Sequence, residues 1–308
     1  MDQGTPPAGG HQDSGAGPAG RLSFALRPLA VAVLGRGVID PDVPVIHADD
    51  RGLLRGLAAF ETLRVYGGRP FAMPEHLARL AASARRMHLA VPDLDALAHL
   101  SSEAIEAAGA ADCTLRLTLT GGREGGEPVA LAIVGALPSD LERLRSVGIG
   151  VISLRLGTDP RARQDAPWLL TGVKSTSYAV NMAAHEEAAR RGAGDAIFVA
   201  ADGSVLEGPT TNVWWRRGAT LHTPALDLGI LAGVTRAYVL RLAPGCGFTT
   251  AEGWYPLADL ASADEAFTSS SIRELMPIVR LDGEAIGSGR PGEAVRALHA
   301  ALRDVAGA

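Results

Sequence analysis

Thr171-Gly172-Val173-Lys174-Ser175-Thr176-Ser177-Tyr178 contains the only lysine in a chain of 308 residues; every other member of its 29 Lys and Arg residues is arginine. Lysine is ordinarily among the commonest residues of a soluble domain. A chain that uses arginine everywhere else has at position 174 a group whose chemistry arginine lacks. A primary amine condenses with an aldehyde. A guanidinium is charged at any accessible pH and offers no lone pair, whereas an ammonium gives up its proton when desolvated or set beside other cations. The stretch points to a Schiff-base lysine, and an ordinary surface lysine in an arginine-biased chain is the competing reading.

Working outward from it, a turn-rich loop over 157–167 and a strand over 148–156 lie upstream, and 177–191 reads as a helix closed by Gly192. Strands are expected at 195–200, 205–206 and 212–215, a helix beginning near Gly233, strands at 265–271 and 277–281, and a last helix over 293–305. In the first half, an apolar run over 29–34 suggests a buried strand, and Asp49-Asp50-Arg51-Gly52 a turn. Residues 60–66 alternate towards a strand that ends at the hairpin signal Gly67-Gly68. Leu77, Leu80, Ala84 and Met87 have helical spacing after the opener Pro74, and 93–108 reads as a second helix. Cys113, Leu115, Leu117 and Leu119 alternate with polar residues on a strand that runs into the loop Gly121–Gly126, and 128–134 is a further strand. The class is α+β: a disordered tail over 1–20, a small α+β domain over 21–136, a linker over 137–147 around Pro138-Ser139-Asp140, and a large second domain over 148–308.

A hydrophobic content of 47% supplies a substantial core, and a net charge of −5 speaks against a general nucleic-acid or membrane-surface binder, which needs a basic face. Cys113 and Cys246 make no disulfide scaffold, and neither CxxC nor HExxH occurs, so no metal is expected. The first twenty residues lack the basic start and apolar middle of a secretory leader, and no apolar run approaches a membrane span. A reducing cytoplasm is the simplest address.

Two nucleotide patterns fail. Gly172-Val173-Lys174-Ser175 lacks the glycine that a P-loop places before its lysine, and Gly148-Ile149-Gly150 is followed by Ser153 where a dinucleotide fingerprint has its third glycine. A pyridoxal phosphate (PLP) site needs an imine lysine, a phosphate cup, a carboxylate for the pyridine nitrogen and anchors for the substrate. Glu207 stands between a short apolar strand and a glycine turn, a position that suits a ring-facing carboxylate or an exposed turn glutamate. Gly233-Val234-Thr235-Arg236 combines a glycine, free N–H groups and a hydroxyl at a helix start, which fits an anion or plain capping. Ser269-Ser270-Ser271 could add hydroxyls, and Arg79 a guanidinium fork, although serine loops and a solvated helix face explain them as well.

Taken in order, the segments "DRGLLRGLAAFETLRVYGGRPFAMPEHLARL", "GVKSTSYAVNMAAHEEAARRGAGDAIF", "DGSVLEGPTTNVWW", "TPALDLGILAGVTR" and "EAFTSSSIRELMPIVRLDG" resemble the fold-type IV PLP-dependent family, which holds branched-chain and D-amino-acid aminotransferases and aminodeoxychorismate lyase. The resemblance implies a small α+β domain and a larger pseudo-barrel domain with the cofactor in the cleft between them, in a homodimer whose sites are completed across the interface. It makes Lys174 the catalytic imine lysine, Glu207 the partner of the ring nitrogen, and Arg79, Val234, Thr235 and Ser271 phosphate ligands. Tyr178 falls near a position where branched-chain enzymes have a tyrosine beside the cofactor. The "RLTLTGGREGG", "SLRLGTDP" and "FETLRV" segments look like the lyase branch, with Arg123 as a substrate-carboxylate ligand. D-amino-acid enzymes carry a histidine soon after that arginine, which is absent here, and "RARQDAPWLL" is longer than a typical lyase would have. The expectation is a lyase converting 4-amino-4-deoxychorismate to 4-aminobenzoate and pyruvate for folate synthesis, with an aminotransferase as alternative.

Overall fold

The computed structural model describes residues 27–308, and for 162–164 the backbone alone. The expected tail and the first residues of the small domain lie outside the described residues. In chain order the first elements are β1 (Ala30–Val33), β2 (Gly37–Ile39), α1 (Arg51–Arg55), β3 (Ala58–Tyr66), β4 (Arg69–Pro70), α2 (Met73–Arg86), α3 (Leu94–Ala108), β5 (Cys113–Thr120) and β6 (Ala130–Gly135). They build a six-stranded sheet ordered β2-β1-β6-β5-β3-β4, in which every pairing is antiparallel. Then come α4 (Leu141–Val147), β7 (Ile149–Arg155), α5 (Pro160–Asp165), α6 (Ala179–Arg190), β8 (Asp195–Val199), β9 (Asn212–Arg217), β10 (Thr220–Pro224), α7 (Val234–Leu242), β11 (Thr249–Gly253), α8 (Leu257–Ala261), β12 (Glu265–Ser270), β13 (Glu274–Leu281), β14 (Glu284–Ala285) and α9 (Glu293–Ala306). Their strands form an eight-stranded mixed sheet ordered β11-β10-β9-β12-β13-β7-β8, with β14 paired to β13.

The β3–β5 ladder frames the site. Ala58 pairs with Thr120 and Val65 with Cys113, so each strand shows one face to α2 and α3 and the other away from them. On the packed face, Ala59, Leu63, Val65, Cys113, Leu115, Leu117 and Leu119 join Leu77, Leu80, Ala84, Leu97 and Ala104 in one core. Burial of this kind stabilises by roughly 25 cal/mol per Å² of apolar surface. Asp93 caps α3, its carboxylate accepting from the backbone N–H of Asp95 and Ala96. Gly67 and Gly68, both at positive φ, close the β3–β4 hairpin as the glycine pair predicts.

Four local expectations are corrected. Asp49–Gly52 is the start of α1, with Asp50 as N-cap, and not only a turn. The 157–167 loop contains α5, opened by Pro160 behind the N-cap Asp159. The 205–206 strand is reduced to isolated bridges, Val199–Val205 and Ser204–Pro256. Much of the expected 137–147 linker is α4, whose Leu141 and Leu144 pack against Ile149, Met276 and Ile278; the polar Pro138-Ser139-Asp140 lead-in hides that i, i+3 pair.

Glu274 ties the two sheets together. It is 1% exposed, sits at φ 56, accepts from Tyr66 Oη of β3 (2.5 Å), and pairs with Arg145 of α4 (2.9 Å) and with His299 (2.9 Å) and Arg303 (3.3 Å) of α9. A non-glycine residue in the left-handed region carries strain of order 1 kcal/mol or more, held only when its surroundings over-determine it.

Candidate active site

The lysine loop runs as an added backbone pairing on β3. Phe60 N–H donates to the Lys174 carbonyl (3.0 Å) and Thr176 N–H to the Ala58 carbonyl (2.8 Å). Gly172 has φ 70, and a Cβ there would stand 3.0 Å from the Ile230 carbonyl, so glycine suits both demands. Helix α2 holds the loop from the other side: Lys174 N–H donates to Ser83 Oγ (3.2 Å), and Arg86 Nη1 donates to the Thr171 carbonyl (2.6 Å). His76, Arg79, Ser83 and Arg86 recur at i, i+3, i+7 and i+10 and therefore share one stripe of the helix.

Lys174 Nζ lies 4.4 Å from the centre of the Phe60 ring and 5.9 Å from that of Tyr178. Burial first, then the Arg79 charge and after it that of Arg116, pulls its ammonium down to about 8 against the opposing pull of Glu61 and Glu207. The amine is thus partly neutral near neutrality, as a nucleophile or base requires. Tyr178 packs edge-on to Phe60 at 5.2 Å, and burial followed by the Glu207 charge pushes its hydroxyl up to about 12, so it stays a neutral phenol.

Beside the amine, Arg79 donates Nε and Nη2 to the two oxygens of Glu61 (2.8 and 2.7 Å) and Nη1 to the Ala232 carbonyl (2.9 Å). His76 Nδ1 reaches Glu61 Oε2 at 2.7 Å, and its Nε2 lies 3.5 Å from Ser271 Oγ. Burial pushes the Glu61 carboxyl up, but the bond and charge of Arg79, helped by His76, hold it at about 2. His76 is lowered by burial, which outweighs Glu61. With Glu61 ionised, the His76 proton sits on Nδ1.

On the far side, Glu207 Oε2 accepts from Leu231 N–H (3.0 Å) and from Asn212 Nδ2 (3.4 Å), which also donates to the Leu231 carbonyl (2.9 Å). Leu231 and Ala232 are therefore stapled between Glu207 and Arg79, and α7 begins two residues further on at Val234. A Cβ on Gly233 would meet Asn212 Oδ1 at 2.0 Å, which requires glycine. Val234 and Thr235 occupy the first turn, and among the described residues no side chain caps that helix, leaving its N–H groups for an anion.

Lys174, Arg79, Glu207, Ser271 and Tyr178 are thus linked through these contacts, and Val234 and Thr235 follow in the first turn of α7, next to Ala232 and Gly233. Arg123 stands apart from them: more than half exposed, it donates Nε to Asp49 Oδ2 at 2.8 Å. Five neighbours were not singled out from sequence: Phe60, Glu61, His76, Ser83 and Arg116. Glu61 had a readable signal, since it falls on the core-facing register of β3 with Ala59 and Leu63, where a carboxylate needs a cationic partner. Arg116, opposite Thr62 on β5, lies 3.9 Å over the Phe60 ring, and no carboxylate pairs with it among the described residues.

These residues fit PLP. Arg79 uses three of its five N–H groups on protein oxygens, leaving two for phosphate; an uncapped helix start adds further donors, a lowered amine supplies a nucleophile, and a carboxylate fixed by a backbone N–H supplies an acceptor. Among the described residues no His/Cys/Asp/Glu group suits a metal ion, and no helix is long and apolar enough to cross a membrane.

Fold and site together define a PLP-dependent enzyme of fold type IV. The chain belongs to the class IV aminotransferase family, whose model matches residues 58–281. It is 35% identical over 267 residues to the bifunctional aminodeoxychorismate lyase / D-amino acid transaminase of Mycobacterium tuberculosis, covering 83% of this chain and 92% of the relative. It is 32% identical over 284 residues to the aminodeoxychorismate lyase of Bacillus subtilis, covering 87% and 92%. Among solved structures, the PLP-bound form of a hypothetical aminotransferase from Mycobacterium tuberculosis superposes with a TM-score of 0.83 at 35% identity, over 90% of this chain and 98% of that one. Pyridoxal phosphate is the cofactor.

Proposed function

We propose that the chain is an aminodeoxychorismate lyase, converting 4-amino-4-deoxychorismate to 4-aminobenzoate and pyruvate in cytoplasmic folate synthesis, and that it works as a homodimer. The observation that carries this reading is the pair of arginines on β5 and its loop. Arg116 has no carboxylate partner among the described residues, and Arg123 is bound only at the surface, to Asp49. One substrate carboxylate suits the half-buried Arg116, and a second would draw Arg123 away from Asp49. Support also comes from the lyase function named for the relatives at 35% and 32% identity. For the homodimer, Leu53 and Leu54 of α1 are 64% and 58% exposed and Val180 of α6 61%, and the end of α1 is tied to the segment leading into α6 by the Ser177 Oγ to Gly56 carbonyl bond (3.1 Å). Apolar exposure of this kind suits a partner surface.

When bound, PLP supplies the aldehyde for amine exchange and an electron sink for the substrate carbon that bears the amine. We assign Lys174 as the base that takes the proton from that carbon. In the lyase reaction the neighbouring carbon–oxygen bond then breaks, and the three-carbon enol leaves with the oxygen and gains a proton as pyruvate. With the cofactor bound, Glu207 would present a negative charge to the ring nitrogen, Arg79, Ser271 and the first turn of α7 with Val234 and Thr235 would hold the phosphate, and Tyr178, a neutral phenol, would wall the cleft.

The alternative, an aminotransferase for D-amino or branched-chain acids, rests on the same amine; the Mycobacterium tuberculosis relative is named for both activities. Supplying 4-amino-4-deoxychorismate alone should release pyruvate and 4-aminobenzoate in equal amounts. Turnover only with an amino acid plus a keto-acid acceptor would transfer the assignment to the aminotransferase.

A further inference from the structure

We propose that Glu61 is a positioning residue for the phosphate end of the cofactor: one buried carboxylate fixes Arg79 as a two-point fork and, through His76, reaches Ser271, thereby setting the spacing between phosphate ligands carried by α2 and by the β12–β13 turn. The proposal rests on the phosphate-ligand assignment made above.

The geometry is specific. Both Glu61 oxygens are engaged by Arg79 in parallel bonds of 2.8 and 2.7 Å, and Oε2 also meets His76 Nδ1 at 2.7 Å. Glu61 is wholly buried, and β3 on both sides of it is locked into the β5 ladder, so the carboxylate cannot drift. A guanidinium has rotational freedom about its long stem; a bidentate carboxylate removes most of it in advance of binding. The two N–H groups that remain on Arg79 are then presented in one direction, beside the start of α7, to which Nη1 is already joined through Ala232. Ser271 receives its reference from the same carboxylate by way of the His76 ring, whose Nδ1 meets Glu61 Oε2 at 2.7 Å and whose Nε2 lies 3.5 Å from Ser271 Oγ. The turn is also held from below, Ser270 Oγ accepting from Arg273 N–H (3.3 Å) while Arg273 pairs with buried Asp195.

Glu61 also acts on the amine electrically. Its charge favours the ammonium of Lys174, whereas Arg79 opposes it. The two partners therefore move the amine in opposite directions when neutralised, which a loss of packing would not do.

The test uses Glu61→Gln, Arg79→Gln and the double variant of the full chain. Cofactor affinity is read by absorbance titration of cofactor-free protein with PLP. The amine is read by the pH dependence of labelling with an acylating reagent, quantified on the Lys174 peptide. Glu61→Gln should weaken PLP binding about tenfold or more, corresponding to 1.4 kcal/mol, and shift the labelling midpoint to lower pH; Arg79→Gln should weaken binding and shift the midpoint upward. Adding Glu61→Gln to Arg79→Gln should cost little further affinity, because the carboxylate acts through the guanidinium. Arg79→Gln weak and Glu61→Gln unchanged would overturn the positioning role alone. Unchanged binding in Arg79→Gln would overturn the phosphate-ligand assignment beneath it. Additive losses would likewise reject the role. If Glu61→Gln does not fold, Glu61→Asp, which keeps the charge but shortens the reach, replaces it: a weaker affinity with a near-normal labelling midpoint is expected, and wild-type affinity overturns the proposal.

Discussion

Lys174 and Phe60 face each other across 4.4 Å, and Arg116 occupies the same ring at 3.9 Å. One aromatic side chain thus carries two cations. Each contact is attractive, but the cations repel each other, and the lysine alone can relieve that repulsion by losing a proton.

That relief predicts a pH-dependent stability. The amine falls from 10.5 unfolded to about 8 folded. Below about pH 8 both states hold the proton and the burial penalty is complete; between about 8 and 10.5 the unfolded chain binds more protons, so stability rises with pH. Denaturant unfolding of cofactor-free protein should show this rise, at most roughly 3 kcal/mol, and Lys174→Met should lack it. Equal slopes in the two proteins would mean that the amine is not depressed.

Lys174→Ala should abolish any covalent cofactor adduct fixed by borohydride and lower turnover by at least about 10²- to 10⁴-fold, the usual worth of a positioned base. Peptide mass mapping checks it, with one candidate side-chain amine in the whole chain. An adduct persisting in the variant would remove Lys174 from its role.

For Glu207→Gln the expectation is a folded, cofactor-binding protein with turnover reduced about tenfold or more, since a bond to a charged group contributes about 1.5–3 kcal/mol. The Leu231 N–H that now donates to Glu207 can still donate to the amide oxygen, so melting should change little. Wild-type turnover would take the carboxylate away from the ring.

Arg123→Ala should raise KM for carboxylated substrates about tenfold or more while PLP affinity stays as in the parent. Steady-state kinetics and cofactor titration separate the two effects; an unaltered KM would leave Arg123 as a partner of Asp49 only.

Glu274→Gln should destabilise the chain by about 3–5 kcal/mol at neutral pH, as loss of one member of a buried ionic cluster does. Burial raises this carboxyl, but His299, Tyr66 and Arg145 together hold it at about 2, below its ordinary 4.5. The stability this contributes is present above about 4.5 and is lost as pH falls towards 2. The gap between parent and variant, measured by urea unfolding, should narrow across that window; a constant gap would assign the effect to packing.

Much of the architecture was legible because its signals are local. The period-two pattern of 113–120 and the helical spacing of Leu77, Leu80 and Ala84 became β5 and α2. Lys174, Arg79 and Glu207 were singled out together through a resemblance carried by several ordered segments rather than by any single residue. What escaped was short or depended on distant partners. Helix α1 has five residues, too few for a period to register, and β10 and β11 are five-residue strands whose mutual pairing is parallel across an intervening helix. The Glu61 cluster joins a strand to a helix 15 and 18 positions further on, and Glu274 meets Tyr66 across 208 positions; the β3 register shows that Glu61 needs a cationic partner, but no periodicity names which one.

The stripe on α2 fixes how that helix can change over evolutionary time. Arg79 and Ser83 hold opposite ends of one stretch of backbone, the first tied to Glu61 and the second to the lysine loop. Inserting a single residue between them would turn the downstream half by about 100°, swinging Ser83 and Arg86 off the loop while His76 and Arg79 stayed in place. Substitutions on the outer side of this helix are harmless by comparison, but its length between those two positions admits no insertion or deletion.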